Sequence, residues 1–163
     1  SQALAARHPA LVRSITIANS ASYYDEAARA GWQARIATVR AQGVAAIADG
    51  AMQRWFTPEF RAGQAARVAA LRAGLEATAA APYAAACAAV GGIDLRESNR
   101  RIACPALVIA GSRDEATPPS LSEDMQAQIP GAQLVSLPAA HLSAVEMPAE
   151  FAQLVSDFVA QIR

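Results

Sequence analysis

The chain has 163 residues, with 14 basic and 14 acidic side chains and a formal net charge of zero. That length fits one ordinary domain, and an apolar fraction of 53% excludes a disordered chain. Zero net charge argues against nucleic acid as the main partner, because phosphate binding needs an excess of basic residues.

The sequence shows no membrane span and no secretory leader. It lacks a basic start followed by a long apolar run, and no stretch approaches the ~20 apolar residues of a membrane helix. Cys87 and Cys104 stand alone, without a CxxC motif or a histidine cluster. Isolated thiols of this kind are typical of reduced, buried cysteines. We therefore predict a cytoplasmic protein with no membrane partner and no metal site.

The first predicted elements are a helix end and a strand. Residues 2–7 have the pattern of the last turns of a helix, without an N-cap, and His8-Pro9 ends them. Residues 11–18 are rich in β-branched side chains and predict a strand that ends at Asn19 and Ser20. Because domains seldom begin inside a helix, this start favours a fragment of a longer protein.

A helical stretch follows, from about residue 25 to residue 95. Apolar residues recur there at helical spacing, and glycines and a Thr57-Pro58 pair separate short segments. No strand-like run appears within it. We predict a cluster of small amphipathic helices.

Strands and helices then alternate. Residues 102–111 form a continuous apolar run ending in glycine, which favours a strand buried on both faces. Thr117 and two prolines predict the N-cap and first turn of a helix that ends near residue 129. Residues 133–138 predict a strand, and residues 148–162 a final helix. This order predicts a parallel sheet, and three such strands need further neighbours, which again favours a fragment.

Two polar side chains follow the ends of these later strands. Asp114 comes after the buried strand and His141 after the short one. In parallel sheets, active sites form at the carboxyl ends of the strands. There an aspartate can fix the tautomer of a histidine that acts as a general base. Asp114 and His141 are therefore the candidate catalytic residues; Asn19 lies at the same edge, where it suits either the pocket or a turn.

Several segments resemble one family of the α/β-hydrolase superfamily, the 3-oxoadipate enol-lactonases. They are DEATPP (Asp114–Pro119), AAHLSAVE (Ala139–Glu146), RWFTPEFR (Arg54–Arg61) and YAAACAAVGGIDLRE (Tyr83–Glu97). The resemblance implies an α/β-hydrolase fold fragment: C-terminal parallel strands with flanking helices plus an inserted helical cap. It divides the chain into core residues 1–22, cap residues 23–97 and core residues 98–163.

The same resemblance implies a Ser-Asp-His triad whose serine lies on a G-x-S-x-G elbow. No such motif occurs in the sequence, and Ser1, Ser112 and Ser143 do not fit the position. We therefore expect the serine in a missing N-terminal segment, either of the same protein or on a separate chain. Alone, the chain is expected to be inactive.

The implied activity is hydrolysis of 3-oxoadipate enol-lactone to 3-oxoadipate, a step of aromatic catabolism in the β-ketoadipate pathway. Because that lactone carries a carboxylate, a cationic anchor is expected in the cap. Arg54 is the candidate for a two-pronged contact with it, and Trp55 for an apolar wall. Neither a metal nor an organic cofactor is implied.

Two alternatives remain open at this stage. The first keeps the fold and changes the reaction to that of a carboxylesterase, a C–C bond hydrolase or a cofactor-free haloperoxidase. The second is a half-domain without catalysis that serves as an interaction module. A small lactone or ester substrate is expected only in the enzymatic cases.

Overall fold

The computed structural model describes residues 1–162, which form two compact units. One unit combines Ser1–Ser22 with the chain from Asp94 onward, and the other is Tyr23–Ile93. No helix within residues 1–162 has the length and hydropathy needed to cross a membrane.

The first unit contains a parallel sheet of three strands in the order β1-β2-β3. The strands are β1 (Ile15–Ala18), β2 (Ala106–Gly111) and β3 (Gln133–Leu137). Ala18 pairs with Ile109, and Gly111 pairs with Leu137. The carboxyl ends of all three strands therefore lie at one edge of the sheet.

Helices of the same unit flank these strands. They are α1 (Gln2–Arg7), α7 (Arg96–Asn99), α8 (Pro119–Gln128), α9 (Ser143–Glu146) and α10 (Pro148–Ala160). The predicted alternation of strand and helix after residue 100 is confirmed by β2, α8, β3 and α10.

Strand β2 lies at the centre of the sheet and is buried at every position. Its alternate residues serve two different cores, as the two-residue period of a strand requires. Val108 packs with Met125 and Ile129 on one face. Leu107 packs with Phe158 on the other, and further apolar residues of α10 lie in that second core. The continuous apolar run in the sequence thus reflects burial on both faces.

Two strand starts were predicted too early. The first strand begins at Ile15 rather than residue 11, because Pro9–Leu11 forms a 3-10 turn. The second begins at Ala106 rather than residue 102. Pro105 precedes it and has no N–H for a ladder hydrogen bond, although its carbonyl accepts the N–H of Ile15.

The second unit is helical throughout its regular structure, as the sequence predicted. Its helices are α2 (Glu26–Gln42), α3 (Ala48–Trp55), α4 (Pro58–Gly63), α5 (Ala65–Glu76) and α6 (Ala80–Gly91). A small core of Ile36, Ala84 and Cys87 joins α2 to α6. The Phe56 and Phe60 rings stack with their centroids 5.3 Å apart. Aromatic contacts therefore supply part of the packing in this alanine-rich unit.

Candidate active site

Two loops meet at the carboxyl edge of the sheet. One follows β2 through Ser112 and Arg113 to Asp114, and the other follows β3 to His141. The N–H of Ser112 donates to the Leu137 carbonyl at 2.8 Å, and the N–H of Arg113 donates to the Ala139 carbonyl at 3.0 Å. These bonds continue the β2–β3 pairing beyond the strands, so they fix one loop against the other.

Asp114 and His141 form a hydrogen-bonded pair in this position. His141 Nδ1 lies 2.9 Å from Asp114 Oδ2. The Asp114 side chain is fully buried, whereas the His141 side chain is 22% exposed. The pair therefore has a buried acidic end and an imidazole that solvent can reach.

The Asp114 carboxylate accepts hydrogen bonds at both oxygens. Oδ1 accepts the main-chain N–H groups of Ala116 and Thr117, each at 2.8 Å. Oδ2 accepts from Thr117 Oγ1 at 2.7 Å and Asn19 Nδ2 at 3.0 Å, in addition to His141. With these partners the carboxyl group is held in one orientation and has an environment suited to the charged form.

Thr117 does not cap α8, so that prediction was wrong. The helix begins at Pro119 with Pro118 in the N-cap position, and no side chain bonds to its first turn there. The Thr117 hydroxyl is engaged with Asp114 instead, because its loop turns back toward that carboxylate. A threonine before prolines thus serves the candidate site rather than the helix.

The pKa of Asp114 reflects two opposed effects. Burial acts to raise it, but hydrogen bonds from His141 and from the N–H and O–H of Thr117 outweigh burial. The pKa of Asp114 consequently lies below its ordinary value. The group is therefore a carboxylate at neutral pH, which is the state that stabilises a protonated histidine beside it.

These contacts also determine the tautomer of His141. The single Thr117 hydroxyl proton is donated to Asp114, so the 3.2 Å contact between Thr117 Oγ1 and His141 Nδ1 needs a proton on Nδ1. The carboxylate, which only accepts, needs the same proton. Neutral His141 therefore carries its proton on Nδ1 and a lone pair on Nε2. A lone pair in that position is what a general base uses.

Two further residues at this edge hold the pair in place. Asn19 directly follows β1, and its amide contacts both loops: Nδ2 lies 3.2 Å from the Ala140 carbonyl as well as 3.0 Å from Asp114. Glu146 Oε2 accepts the N–H of Ala140 at 2.5 Å. The sequence left Asn19 open as a pocket or turn residue, since its contacts join distant parts of the chain, and it assigned Glu146 no role.

Two serines lie within two residues of the pair along the chain. Ser143 is 1% exposed and its hydroxyl donates to Asn19 Oδ1 at 2.5 Å. Ser112 is exposed in the loop before Asp114, and its main-chain N–H is bonded to β3. The chain therefore presents a hydrogen-bonded histidine–carboxylate pair, and its sequence has no G-x-S-x-G elbow.

Arg54 and Trp55 lie at the end of α3 in the helical unit, and both are partly buried. Their role as substrate contacts stays a prediction.

The cysteines are both free thiols, and burial raises the pKa of Cys87 more than the nearby Arg35 and the Tyr83 hydroxyl lower it. Within residues 1–162, no three histidine, cysteine or acidic side chains cluster as metal ligands do.

Comparison with known proteins adds a consistent set of relatives. The chain is 37% identical over 150 residues to 3-oxoadipate enol-lactonase 2 of Acinetobacter baylyi, matching 92% of this chain and 55% of that protein. For 3-oxoadipate enol-lactonase 1 of the same organism, the identity is 38% over 151 residues, with 92% and 56% covered. The chain thus spans about half the length of the curated relatives that it matches. No protein-family model matches it.

A solved structure agrees with these relatives. The crystal structure of the enol-lactonase from Burkholderia xenovorans superposes with a TM-score of 0.94 at 32% identity. The match covers 98% of this chain and 61% of that one. Both units of this chain therefore have counterparts within an enol-lactonase.

Proposed function

Because the chain belongs to the α/β-hydrolase superfamily, we propose that it supplies the acid–base part of a carboxylic ester hydrolase acting on 3-oxoadipate enol-lactone. The observation that carries this proposal is the Asp114–His141 pair, with its 2.9 Å hydrogen bond and a lone pair on His141 Nε2. Its similarity to two 3-oxoadipate enol-lactonases supports the lactone as substrate.

In the proposed reaction, His141 Nε2 removes a proton and Asp114 stabilises the imidazolium that results. The proton comes either from a serine that attacks the lactone carbonyl or from a water molecule that attacks it directly. As the ring C–O bond breaks, His141 returns the proton to the departing enolate oxygen, or to the enol carbon as the ketone forms. Attack by water gives 3-oxoadipate directly, whereas attack by serine leaves an acyl-serine, which a water activated by His141 hydrolyses in a second stage while the proton returns to the serine oxygen. Either route consumes one water and yields 3-oxoadipate.

The proposed nucleophile is a serine in a segment outside these 163 residues. A base without a nucleophile cannot form an acyl-enzyme, and the oxyanion hole of this fold includes the N–H that follows that serine. We accordingly expect the chain alone to be inactive and to require that segment, supplied in the same polypeptide or as a separate chain. The cytoplasmic location and the place in the β-ketoadipate pathway also stay predictions from the sequence.

The direct test supplies the chain with the part of the Acinetobacter baylyi enol-lactonase that it does not match. Hydrolysis of the enol-lactone is expected from the mixture, with a clear preference over p-nitrophenyl acetate, which has no carboxylate. Equal or better turnover of the neutral ester would favour a carboxylesterase instead. A well-folded complex that hydrolyses neither substrate would favour a half-domain that acts in binding.

Arg54 is proposed as the anchor for the carboxylate of the lactone, with Trp55 as an apolar wall beside it. Replacing Arg54 by alanine should raise KM for the lactone about 10- to 100-fold, as expected for the loss of a charge-assisted hydrogen bond of about 1.5–3 kcal/mol. The kcat should change little, and turnover of p-nitrophenyl acetate should be unaffected. Steady-state kinetics on the complemented protein measure both.

Arg67→Ala is the matched control for this variant. It removes one positive charge from the same helical unit, at an exposed position on α5. Similar losses on lactone and neutral ester in the Arg54 variant, or a loss of the same size in the Arg67 variant, would contradict the anchor role.

A further inference from the structure

Asn19 joins the two loops that carry the acid–base pair. We propose that it is a positioning residue, which holds the Asp114 carboxylate in hydrogen-bonding geometry with His141. Its two amide N–H groups serve different loops: one donates to Asp114 Oδ2 at 3.0 Å and the other to the Ala140 carbonyl at 3.2 Å. Its importance for catalysis rests on the proposed function, whereas its effect on His141 can be measured without any substrate.

The orientation of the Asn19 amide is set by Ser143. The Ser143 hydroxyl donates to Asn19 Oδ1 at 2.5 Å, and Ser143 is almost completely buried. If the amide were turned over, its oxygen would face the Asp114 carboxylate and the Ala140 carbonyl, which are both acceptors. Only the observed orientation satisfies all three neighbours, so the amide must present its donors to Asp114.

The backbone of Asn19 supports the same role. Its φ is +46°, in the left-handed region, and no other residue within 1–162 except two glycines has a positive φ of this kind. Asparagine adopts this conformation more readily than most side chains. The Asn19 N–H also donates to the Ile109 carbonyl at 2.9 Å, which ties this turn to the central strand. The side chain is thus aimed at the two loops by a well-anchored backbone.

Hydrogen bonds consequently connect Ser143 to Asn19, Asn19 to Asp114 and Asp114 to His141. The backbone closes this ring, because only Leu142 separates His141 from Ser143 in the sequence. Without the Asn19 amide, Asp114 Oδ2 would retain only His141 and Thr117 as partners among the described residues. The loop that carries His141 would also lose the hydrogen bond that its Ala140 carbonyl accepts from Asn19. We therefore expect the Nδ1 proton of His141 to be less well held.

Three variants test this role. Asn19→Gly removes the amide while tolerating the left-handed backbone. Asn19→Asp keeps the shape and an acceptor for Ser143, but presents an oxygen to Asp114 where a donor is needed. Ser143→Ala leaves the amide but removes the group that orients it. Each is made together with His8→Gln, because the chain has two histidines and this substitution leaves His141 as the only imidazole.

The measurement is imidazole ¹⁵N and ¹H NMR of the chain, which reports the tautomer of His141 and the exchange of its Nδ1 proton with water. The Asn19 parent should be mainly protonated at Nδ1. In Asn19→Gly and Asn19→Asp that proton should exchange at least about 10-fold faster, as expected for losing a hydrogen bond to a charged group. Ser143→Ala should give an intermediate rate.

Ile129→Val is the control for a general loss of stability. Ile129 is buried in the same core as Val108, so the substitution removes a buried methyl group without touching Asn19 or Asp114. It should leave the His141 signals unchanged. If Asn19→Asp keeps the His141 signals of the parent, or if Ile129→Val alters those signals as much as the Asn19 variants do, the positioning role is wrong.

In the complemented enzyme, Asn19→Gly should lower kcat about 10-fold with KM within twofold. The NMR changes expected for the Asn19 variants could occur although the complemented enzyme with Asn19 intact hydrolyses nothing. That result would overturn the proposed function but leave the positioning role of Asn19 in place.

Discussion

Replacing Asp114 by asparagine is expected to lower the kcat of the complemented enzyme by about 10³- to 10⁴-fold, with KM within a few-fold of its original value. Oδ1 accepts two main-chain N–H groups, so the new amide must keep its oxygen there. Its NH₂ group would then occupy the Oδ2 position and donate toward His141 Nδ1. That contact favours the tautomer with the proton on Nε2, which removes the lone pair that the base needs.

The stability of this variant should also fall, because the NH₂ group would face donors from Asn19 and Thr117. Circular dichroism must therefore show that the protein assayed is folded. Asp124→Asn is the matched control, since it makes the same substitution at an exposed position on α8 and should leave kcat unchanged. A folded Asp114→Asn enzyme with more than a tenth of the original kcat would contradict the orienting role of Asp114.

Replacing Gly111 by alanine is expected to disturb the same site through the backbone. An added Cβ would lie 2.6 Å from the Ala139 carbonyl oxygen and even closer to the Ala140 carbonyl oxygen. It would also lie 2.9 Å from Asn19 Nδ2. Because the nearest atoms are main-chain atoms in the His141 loop, they can make room only if that loop moves. We expect a loss of about 1–3 kcal/mol in the free energy of unfolding and a fall in kcat of about 100-fold from misplacing His141.

Thermal unfolding and steady-state kinetics measure these two effects separately. Gly74→Ala is the control, because Gly74 lies inside α5 and nothing stands within 4 Å of its added Cβ. That change should raise the free energy of unfolding by about 0.5–1 kcal/mol, as alanine favours a helix over glycine. A Gly111→Ala protein as stable and active as the parent would show that the loops are not held as closely as the structure indicates.

The sequence predicted the pair of Asp114 and His141 because both features are local. Asp114 follows an apolar run that is recognisable as a buried strand, His141 follows a shorter predicted strand, and parallel strands place their carboxyl ends together. The helix α10 was predicted for a similar reason, since its apolar residues recur with the period of a helix. Patterns of this kind depend only on neighbours within a few positions.

Asn19 and Thr117 show why the remainder of the site could not be predicted. The bonds of Asn19 span 95 positions to Asp114 and 121 to Ala140, and no local pattern records such contacts. Thr117 carries a strong local signal for an N-cap, but a buried carboxylate nearby is a better partner for its hydroxyl than the helix end. Tertiary contacts decided both cases.

The central claim is that Asp114 and His141 serve as the acid–base pair for a serine that these 163 residues do not provide. The most direct measurement is enol-lactone hydrolysis by the chain of verified mass, before and after adding the unmatched part of an enol-lactonase. We predict no hydrolysis above background by the chain alone, clear hydrolysis after the addition, and its loss in His141→Gln. Full hydrolysis by the chain alone, or hydrolysis that survives His141→Gln, would contradict the account.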